Sequence, residues 1–194
     1  TLLPGVWVRM NLISFSLFGD GPKYNQGMVA NARLAAEVYP GWRVRVYHDF
    51  RIRVAADLRG LGVELIPMPP APGGRAMCWR FLPAADPRID RVIFRDADSR
   101  LNVREAAAVA AWIASGRLAH VMRDHPHHAD PAWPIFGGMW GIRGGALPNM
   151  AGWIASWRGM GGHWHERLDD MVLLRQHVWP LIRGDMLHHS SVAS

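Results

Sequence analysis

Apolar and polar residues follow two different periods along the first 66 residues of the chain. Short runs rich in β-branched and aromatic residues predict strands at 12–17, 42–47 and 63–66. Between them, apolar residues at helical spacing predict helices over 24–39 and 53–59. This β-α-β-α-β order is typical of a parallel, doubly wound sheet.

The rest of the chain continues the alternation less regularly. The pattern predicts helix 76–82, strand 92–94, helix 105–115, strands 118–122 and 134–143, and helices 147–157 and 168–179. Residues 67–74 are rich in proline and glycine and predict a surface loop, and residues 184–190 end the ordered chain. We therefore predict one α/β domain over residues 1–194, with an open, mostly parallel Rossmann-like sheet and flanking helices.

The central strand, 92–94, leads into two aspartates, Asp96 and Asp98. Residues i and i+2 of an extended chain share a face, so both carboxylates can point the same way. Ligands of open α/β sheets bind at the carboxyl ends of strands, where paired carboxylates suit Mg²⁺ or Mn²⁺ together with substrate phosphates. The alternative is a solvated loop in which the aspartates pair with Arg95 and Arg100. The Asp-x-Asp pattern alone leaves both interpretations open.

Composition limits the classes of partner. The chain is 49% hydrophobic and 20% charged, as an ordinary globular protein is. Its net charge of +6 favours anionic partners such as nucleotides or a phospholipid surface, but the scattered basic residues argue against nucleic acid. No apolar stretch is long enough to predict a transmembrane segment, so any membrane contact is peripheral. The lone Cys78 excludes an internal disulfide and fits a cytoplasmic location.

Three further polar clusters each have a structural alternative. Asp169 and Asp170 enter a helix, where they either complement its dipole or place a carboxylate at a reacting centre. His188 and His189 either lie at the surface or supply a nitrogen ligand to the Asp-x-Asp site. The segment 124–128 contains three histidines without the helical spacing of a zinc pair, so loop structure or ligand contacts fit it better.

Glycines and arginines complete the candidates. Gly137-Gly138 either lets a ligand or a neighbouring backbone approach closely or forms a β-bulge. Arg80, Arg95 and Arg100 lie near the aspartates in the sequence. Their guanidinium groups either hold phosphate with two hydrogen bonds or neutralise the carboxylates.

The order of these parts resembles the GT-A glycosyltransferases, particularly small bacterial enzymes related to glycosyltransferase family eight. The resemblance covers roughly Asn11 to Ser190. Its most specific segments are Phe15-Ser-Leu-Phe-Gly with Lys23-Tyr24, Met77-Cys-Trp-Arg-Phe81, Phe94-Arg-Asp-Ala-Asp-Ser-Arg100 and Pro134-Ile-Phe-Gly-Gly-Met-Trp140. Downstream, Asp169-Asp-Met-Val-Leu173 and His188-His-Ser190 are similar to the family's Asp-Gln-x-x-Leu helix and terminal histidine.

The resemblance implies transfer of a sugar from a nucleotide diphosphate donor to a carbohydrate or glycoconjugate acceptor. The expected donor is a UDP-sugar, and the expected cofactor is Mn²⁺ or Mg²⁺. The resemblance also implies that Phe15, Ser16 and Tyr24 line the nucleotide pocket. It further implies that Asp96, Asp98 and His188 bind the metal, with Asp96 also near the donor ribose. Gly137-Gly138 would lie along the donor sugar, and Asp169 or Asp170 would face the reacting carbon.

Three departures limit this comparison. Asp170 stands where those enzymes often have glutamine, which leaves retention or inversion of configuration open. No lysine follows Lys23, so the family's C-terminal lysine on the diphosphate is missing. The chain is short for a transferase of this class and begins at Thr1 without methionine, so we expect an abbreviated acceptor site or a fragment of a larger protein.

Two other functions fit parts of the pattern. A phosphohydrolase would use Asp96 as nucleophile and Asp98 as acid, but that chemistry usually needs a downstream lysine. A non-catalytic domain that binds nucleotide or carbohydrate would share the fold without turnover, since fold alone does not fix function. The transferase is the prediction that uses all the parts, and it leaves the donor sugar and the acceptor open.

Overall fold

A seven-stranded sheet forms the centre of the computed structural model, which describes residues 10–71, 74–124, 128, 130–157 and 168–190. Its strands are β1 (Met10–Leu17), β2 (Arg43–His48), β3 (Glu64–Pro67), β4 (Ile89–Phe94), β5 (Ala119–Arg123), β6 (Trp140–Arg143) and β7 (Met186–Ser190). Their order is β3-β2-β1-β4-β6-β5-β7. Neighbours are parallel except that β6 is antiparallel to both β4 and β5. The predicted mostly parallel α/β sheet is confirmed.

Helices cover both faces of the sheet. They are α1 (Pro22–Val38), α2 (Ala55–Gly60), α3 (Arg75–Cys78), α4 (Val103–Ser115), α5 (Met150–Ser156), α6 (Asp169–Leu173) and α7 (Trp179–Ile182). A 3₁₀ helix, Trp79–Ala85, continues α3, and a π-helical turn, Leu174–Val178, joins α6 to α7. Among the described residues, no helix is both long and apolar enough to cross a membrane.

Each face of the sheet buries its own core. On one face the rings of Phe81, Phe94 and Trp140 pack together, with the centroids of Phe94 and Trp140 4.3 Å apart. On the other face, residues such as Phe15 and Ile93 pack among the side chains of α1 and α4. Because both faces are buried at the carboxyl end of β4, its residues Val92–Phe94 form a continuous apolar run.

The elements of the first 66 residues lie within two residues of their predicted bounds, which is the usual uncertainty of a helix or strand end. Further along, three predictions are corrected. The predicted helix 76–82 is α-helical only as far as Cys78 and continues as a 3₁₀ helix to Ala85, with Pro83 inside it. Only Trp140–Arg143 of the predicted strand 134–143 is extended, because the segment before it bends around charged side chains. Residues 186–190 form β7, an edge strand with too few apolar residues to be predicted.

His120 is the one buried histidine of β5, and its side chain is fully enclosed. Its ring stacks on Trp112, with the centroids 4.7 Å apart and the planes 9° apart, and it meets His189 edge-on at 5.7 Å. Neither ring nitrogen of His120 has a hydrogen-bond partner among the described residues. Burial, together with Arg95 and His189, lowers the pKa of His120 well below its ordinary value.

We expect His120→Phe to weaken the acid sensitivity of folding. The unfolded chain takes up a proton on His120 as the pH falls through its ordinary pKa of about 6.5, whereas the folded chain does not. The wild type therefore loses up to about 1.4 kcal/mol of unfolding free energy per pH unit below that value, and the variant lacks this loss. Urea unfolding of both proteins at several pH values between about 7.5 and 5 measures the difference. Parallel pH profiles would show that His120 is protonated in the folded state.

Candidate active site at the carboxyl ends of β1 and β4

The candidate site lies where the strand order reverses. Strands β1 and β4 are parallel neighbours, and the chain leaves β1 towards β2 on one side and reaches β4 on the other. Asp96 and Asp98 follow β4 by two and four residues. Such a switch point leaves a crevice beyond the strand ends, which is the usual ligand position in open α/β sheets.

The Asp-x-Asp loop is held by Asn31 of α1, whose side chain is fully buried. Its amide nitrogen Nδ2 lies 3.4, 3.3 and 2.7 Å from the carbonyl oxygens of Asp96, Ala97 and Ser99, to which it donates. Its Oδ1 accepts a hydrogen bond from the backbone N–H of Leu101 at 3.2 Å. One buried side chain thus hydrogen-bonds three carbonyl groups and one N–H of the loop that carries both carboxylates.

Gly27, one turn before Asn31, lets α1 come this close. A Cβ at Gly27 would overlap the carbonyl oxygen of Ala97. Neither residue was among the sequence candidates. The available signal was a polar and a small residue on the otherwise apolar face of the predicted helix, which is typical of a helix that packs on a polar loop.

Arg80 is the central cation of the site. Its Nη1 pairs with Asp96, and its Nη2 lies 2.6 Å from Oδ2 of Asp170. The Arg80 side chain is only 5% exposed, and that of Asp170 7%, whereas that of Asp96 is 42% exposed. The backbone of Arg80 is also fixed to β1, since its N–H donates to Ser16 Oγ at 2.9 Å and its carbonyl accepts from Ser14 Oγ at 2.7 Å.

Burial and charge act against each other in this cluster. Burial lowers the pKa of Arg80, but Asp96 and Asp170 outweigh it and hold that pKa above its ordinary value. Burial raises the pKa of Asp170 above its ordinary value, although Arg80 acts to lower it. A single buried guanidinium therefore compensates two carboxylates, and Asp96 is the one whose oxygens also reach solvent.

Gly137 and Gly138 pack directly on these charges. A Cβ at Gly137 would overlap Oδ2 of Asp170 and Nη2 of Arg80, and a Cβ at Gly138 would overlap Oδ2 of Asp96. The groups that come closest to the glycine pair are charged side chains, whereas the sequence predicted a ligand or a neighbouring backbone, so a ligand contact at this pair stays a prediction. The β-bulge alternative is wrong because the pair precedes the strand β6.

Two cavities meet at this cluster. The first, here called the carboxylate cavity, has a volume of about 270 Å³ and is lined by residues that include Ser16, Tyr24, Met77, Arg80, Asp96 and Asp98. The second, here called the glycine cavity, has a volume of about 350 Å³ and is lined by residues that include Arg80, Asp96, Asp124, Gly137, Gly138 and Asp170. Arg80 and Asp96 line both cavities, so the two cavities adjoin at these side chains.

Asp98 forms an ion pair with Lys23. Its Oδ2 lies 2.6 Å from Nζ of Lys23, whose side chain is 70% exposed, whereas that of Asp98 is 25% exposed. The aspartates are thus paired with Arg80 and Lys23, and the predicted alternative pairing with Arg95 and Arg100 is wrong.

The two aspartates fit a divalent cation in part. Both line the carboxylate cavity, and their oxygens are the hard ligands that Mg²⁺ and Mn²⁺ prefer. Two carboxylates are enough when substrate phosphates complete the coordination. Within the described ranges, no group of three or more His, Cys, Asp or Glu side chains is placed to hold a metal ion.

The structure does not bring His188 to the aspartates, which corrects the prediction of a third ligand. His188 lies on β7, and β6 and β5 separate that strand from β4. It lines a third cavity of about 490 Å³ beside His189 and α4. Burial, Arg123 and His189 lower the pKa of His188 below its ordinary value.

Two donor-site predictions are corrected by burial. The ring of Phe15 is fully enclosed in the core, so it does not line a nucleotide pocket. Arg95 is 2% exposed and points towards α4, where its Nε lies 2.9 Å from Glu105. It follows Phe94 in an extended segment, so its side chain points away from the face that carries Asp96.

The side chains of Arg100 and Asp169 also form hydrogen bonds with backbone groups of the fold. Nη1 of Arg100 lies 3.4 Å from each of the carbonyl oxygens of Ala97 and Ser99, within its own loop. A carboxylate oxygen of Asp169 accepts a hydrogen bond from the backbone N–H of Gly74 at 3.1 Å, which ties α6 to the segment before α3. Of the acidic pair, only Asp170 lines the glycine cavity.

A second polar pair lies in the glycine cavity. Nδ1 of His128 lies 3.1 Å from Oδ1 of Asp124, and its ring packs on Phe136 with the centroids 4.2 Å apart. The other two histidines predicted in this segment lie outside the described residues. The pair places a titratable side chain in the same space as Asp170.

Several solved structures share this arrangement of strands and helices. Glucosyl-3-phosphoglycerate synthase of Mycobacterium tuberculosis matches with a TM-score of 0.56 and 13% identity, over 94% of this chain and 70% of that chain. Its complex with Mn²⁺, UDP-glucose and phosphoglyceric acid matches with a TM-score of 0.54 and 13% identity, over the same shares. The Mycobacterium tuberculosis protein Rv0371c matches with a TM-score of 0.50 and 12% identity, over 97% of this chain and 91% of that chain.

No family model and no curated protein matches the chain. At identities of 12–13%, the structural likeness shows the fold and not the substrate. The relation to glycosyltransferase family eight therefore stays a prediction. The chain has a GT-A-like α/β fold.

Proposed function

We propose that this protein is a divalent-metal-assisted glycosyltransferase that takes a sugar from a UDP-sugar. The observation that carries the proposal is the shared position of Asp96 and Arg80, at the junction of two cavities at the strand switch point. In a nucleotide sugar, a diphosphate joins the nucleoside to the sugar. Its binding needs two connected cavities, with charged groups at their junction that control the charge of the diphosphate.

The carboxylate cavity suits the nucleotide half. Tyr24 offers an aromatic face that is 47% exposed, and such faces stack well on bases. Asp96 and Asp98 would hold the divalent cation, which would neutralise charge on the departing diphosphate. The complex of the synthase with Mn²⁺ and UDP-glucose supports this assignment by likeness of fold.

The glycine cavity suits the sugar and the acceptor. Its glycines leave room beside Asp170, whose carboxylate faces the cavity and is held by Arg80. In the reaction, the bond between the anomeric carbon and the diphosphate oxygen breaks, UDP leaves, and an acceptor hydroxyl oxygen bonds to that carbon and loses its proton to solvent water. Positive charge develops on the sugar ring, and a fixed carboxylate such as Asp170 stabilises it.

Release of UDP from a panel of UDP-sugars tests this proposal. We expect metal-dependent UDP release with at least one donor, and a loss of about 10²-fold or more in Asp170→Asn if this carboxylate stabilises the transition state. Asp86→Asn, which changes a carboxylate paired with exposed Arg88 elsewhere, is the matched control. UDP binding without release from any donor would favour a non-catalytic binding domain, and phosphate release from a simple phosphomonoester would favour a hydrolase.

A further inference from the structure

Lys23 and Arg80 neutralise the two carboxylates of the Asp-x-Asp loop in very different ways. Arg80 is buried, paired with two aspartates and fixed to β1 through its own backbone. Lys23 is largely exposed and pairs with Asp98 from the first turn of α1. Its ammonium also lies 5.4 Å from the ring centroid of Tyr24, which lines the same cavity.

The position of Lys23 is unfavourable for helix stability. The N-terminus of a helix carries partial positive charge and favours acidic side chains, but α1 has no acidic residue in its first turn and has Lys23 there. The lysine is therefore better explained by what it faces than by the helix that carries it. It faces Asp98 and the mouth of the carboxylate cavity.

The two cations also differ in how easily they can leave. Exposed ion pairs are screened by solvent and contribute little to stability, so the Lys23–Asp98 pair breaks at low cost. The Arg80 pairs cannot break without leaving buried charges unpaired. A cation that binds between the two aspartates therefore competes with Lys23 for the carboxylate of Asp98, while Arg80 stays in place.

We infer that Lys23 is a built-in competitor for the divalent cation and a mobile contact for the donor diphosphate. Without metal, its ammonium pairs with the carboxylate of Asp98 and supplies part of the positive charge that the ion would bring. With metal bound, Asp98 is taken by the ion and the long lysine side chain is released towards the phosphates. The competition depends on the two carboxylates alone, whereas the phosphate contact rests on the proposed function.

The inference predicts opposite effects of one substitution on two ligands. Lys23→Met removes the competitor, so Mn²⁺ alone should bind about twofold to fivefold more tightly, the range that an exposed ion pair can supply. The same variant also removes the side chain that is released towards the phosphates when metal is bound, so UDP in the presence of saturating Mn²⁺ should bind several-fold more weakly than to the wild type.

The experiment is titration of the full chain with Mn²⁺ alone, monitored by electron paramagnetic resonance of the free ion, and calorimetric titration with UDP in the presence of saturating Mn²⁺. Lys23→Arg keeps the charge and should stay near the wild type for both ligands. Arg33→Met removes one charge from an exposed position ten residues further along α1, and should change neither affinity. Asp98→Ala should lose Mn²⁺ binding.

Unchanged or weaker Mn²⁺ binding by Lys23→Met would overturn the inference, and so would a failure of every variant to bind Mn²⁺. If Mn²⁺ competition is present but no protein binds UDP, the competition stands and the proposed function fails. An equal gain of Mn²⁺ affinity in Arg33→Met would show that only overall charge matters and would also overturn the role of Lys23.

Discussion

Arg80→Met is expected to lower the free energy of unfolding by about 3–5 kcal/mol, the usual cost of removing one partner from a buried ion pair. Methionine replaces the aliphatic part of the arginine side chain, so the change mainly removes the guanidinium group, and Asp96 and Asp170 lose their shared cation. The cost falls mainly on Asp170, because its carboxylate is buried whereas that of Asp96 reaches solvent. Guanidinium unfolding of the variant and the wild type measures it.

A double-mutant cycle separates charge from packing in this prediction. Asp170→Asn combined with Arg80→Met should be clearly less destabilised than the sum of the two single changes, since the buried charges are then removed together. The matched control is Arg88→Met, which breaks an exposed pair with Asp86 and should leave the unfolding curve almost unchanged. If Arg80→Met costs no more than this control, the cluster contributes nothing to the fold.

Gly137→Ala is expected to destabilise the protein by about 1–3 kcal/mol, as overpacking of a tight contact does. The added methyl would overlap both Asp170 and Arg80, so their ion pair must move apart. Because the same pair lines the glycine cavity, donor binding should weaken in the same variant. Thermal unfolding, alone and with a UDP-sugar, measures both effects.

Gly152→Ala is the control for that substitution. Gly152 lies in α5, and a Cβ added there would meet no atom within 4 Å. Alanine at this position should therefore raise stability by about 0.5–1 kcal/mol through its higher helix propensity. Equal responses at the two glycines would contradict the close packing of Gly137 on the charged cluster.

The first half of the fold could be predicted because its strands and helices differ clearly in period, and because parallel pairing follows from their alternation. The position of Asp96 and Asp98 at a strand end followed from the same pattern. The orientation of Arg95, away from the face that carries Asp96, could have been predicted as well. Adjacent residues of an extended chain point in opposite directions, and Asp96 shares the face of Phe94.

The remaining features depend on contacts between residues far apart in the chain. Arg80 meets Asp170 across 90 positions, and nothing local to either residue indicates the other. The role of Asn31 likewise needs α1 to be docked on the loop after β4. The prediction for His188 failed because order along the chain does not give order across the sheet, and β7 joined the edge beyond β5.

The central claim is that Asp96 and Asp98 bind a cation that holds a nucleotide diphosphate, and thermal unfolding with UDP and Mn²⁺ tests it most directly. A ligand that binds only the folded chain adds about 2.7 kcal/mol at 100 times its dissociation constant, enough for a clear rise in melting temperature. We predict that rise for the wild type with UDP and Mn²⁺ together, a smaller one with UMP, and none in Asp98→Ala. The absence of any shift with every nucleoside diphosphate, with or without metal, would contradict the claim.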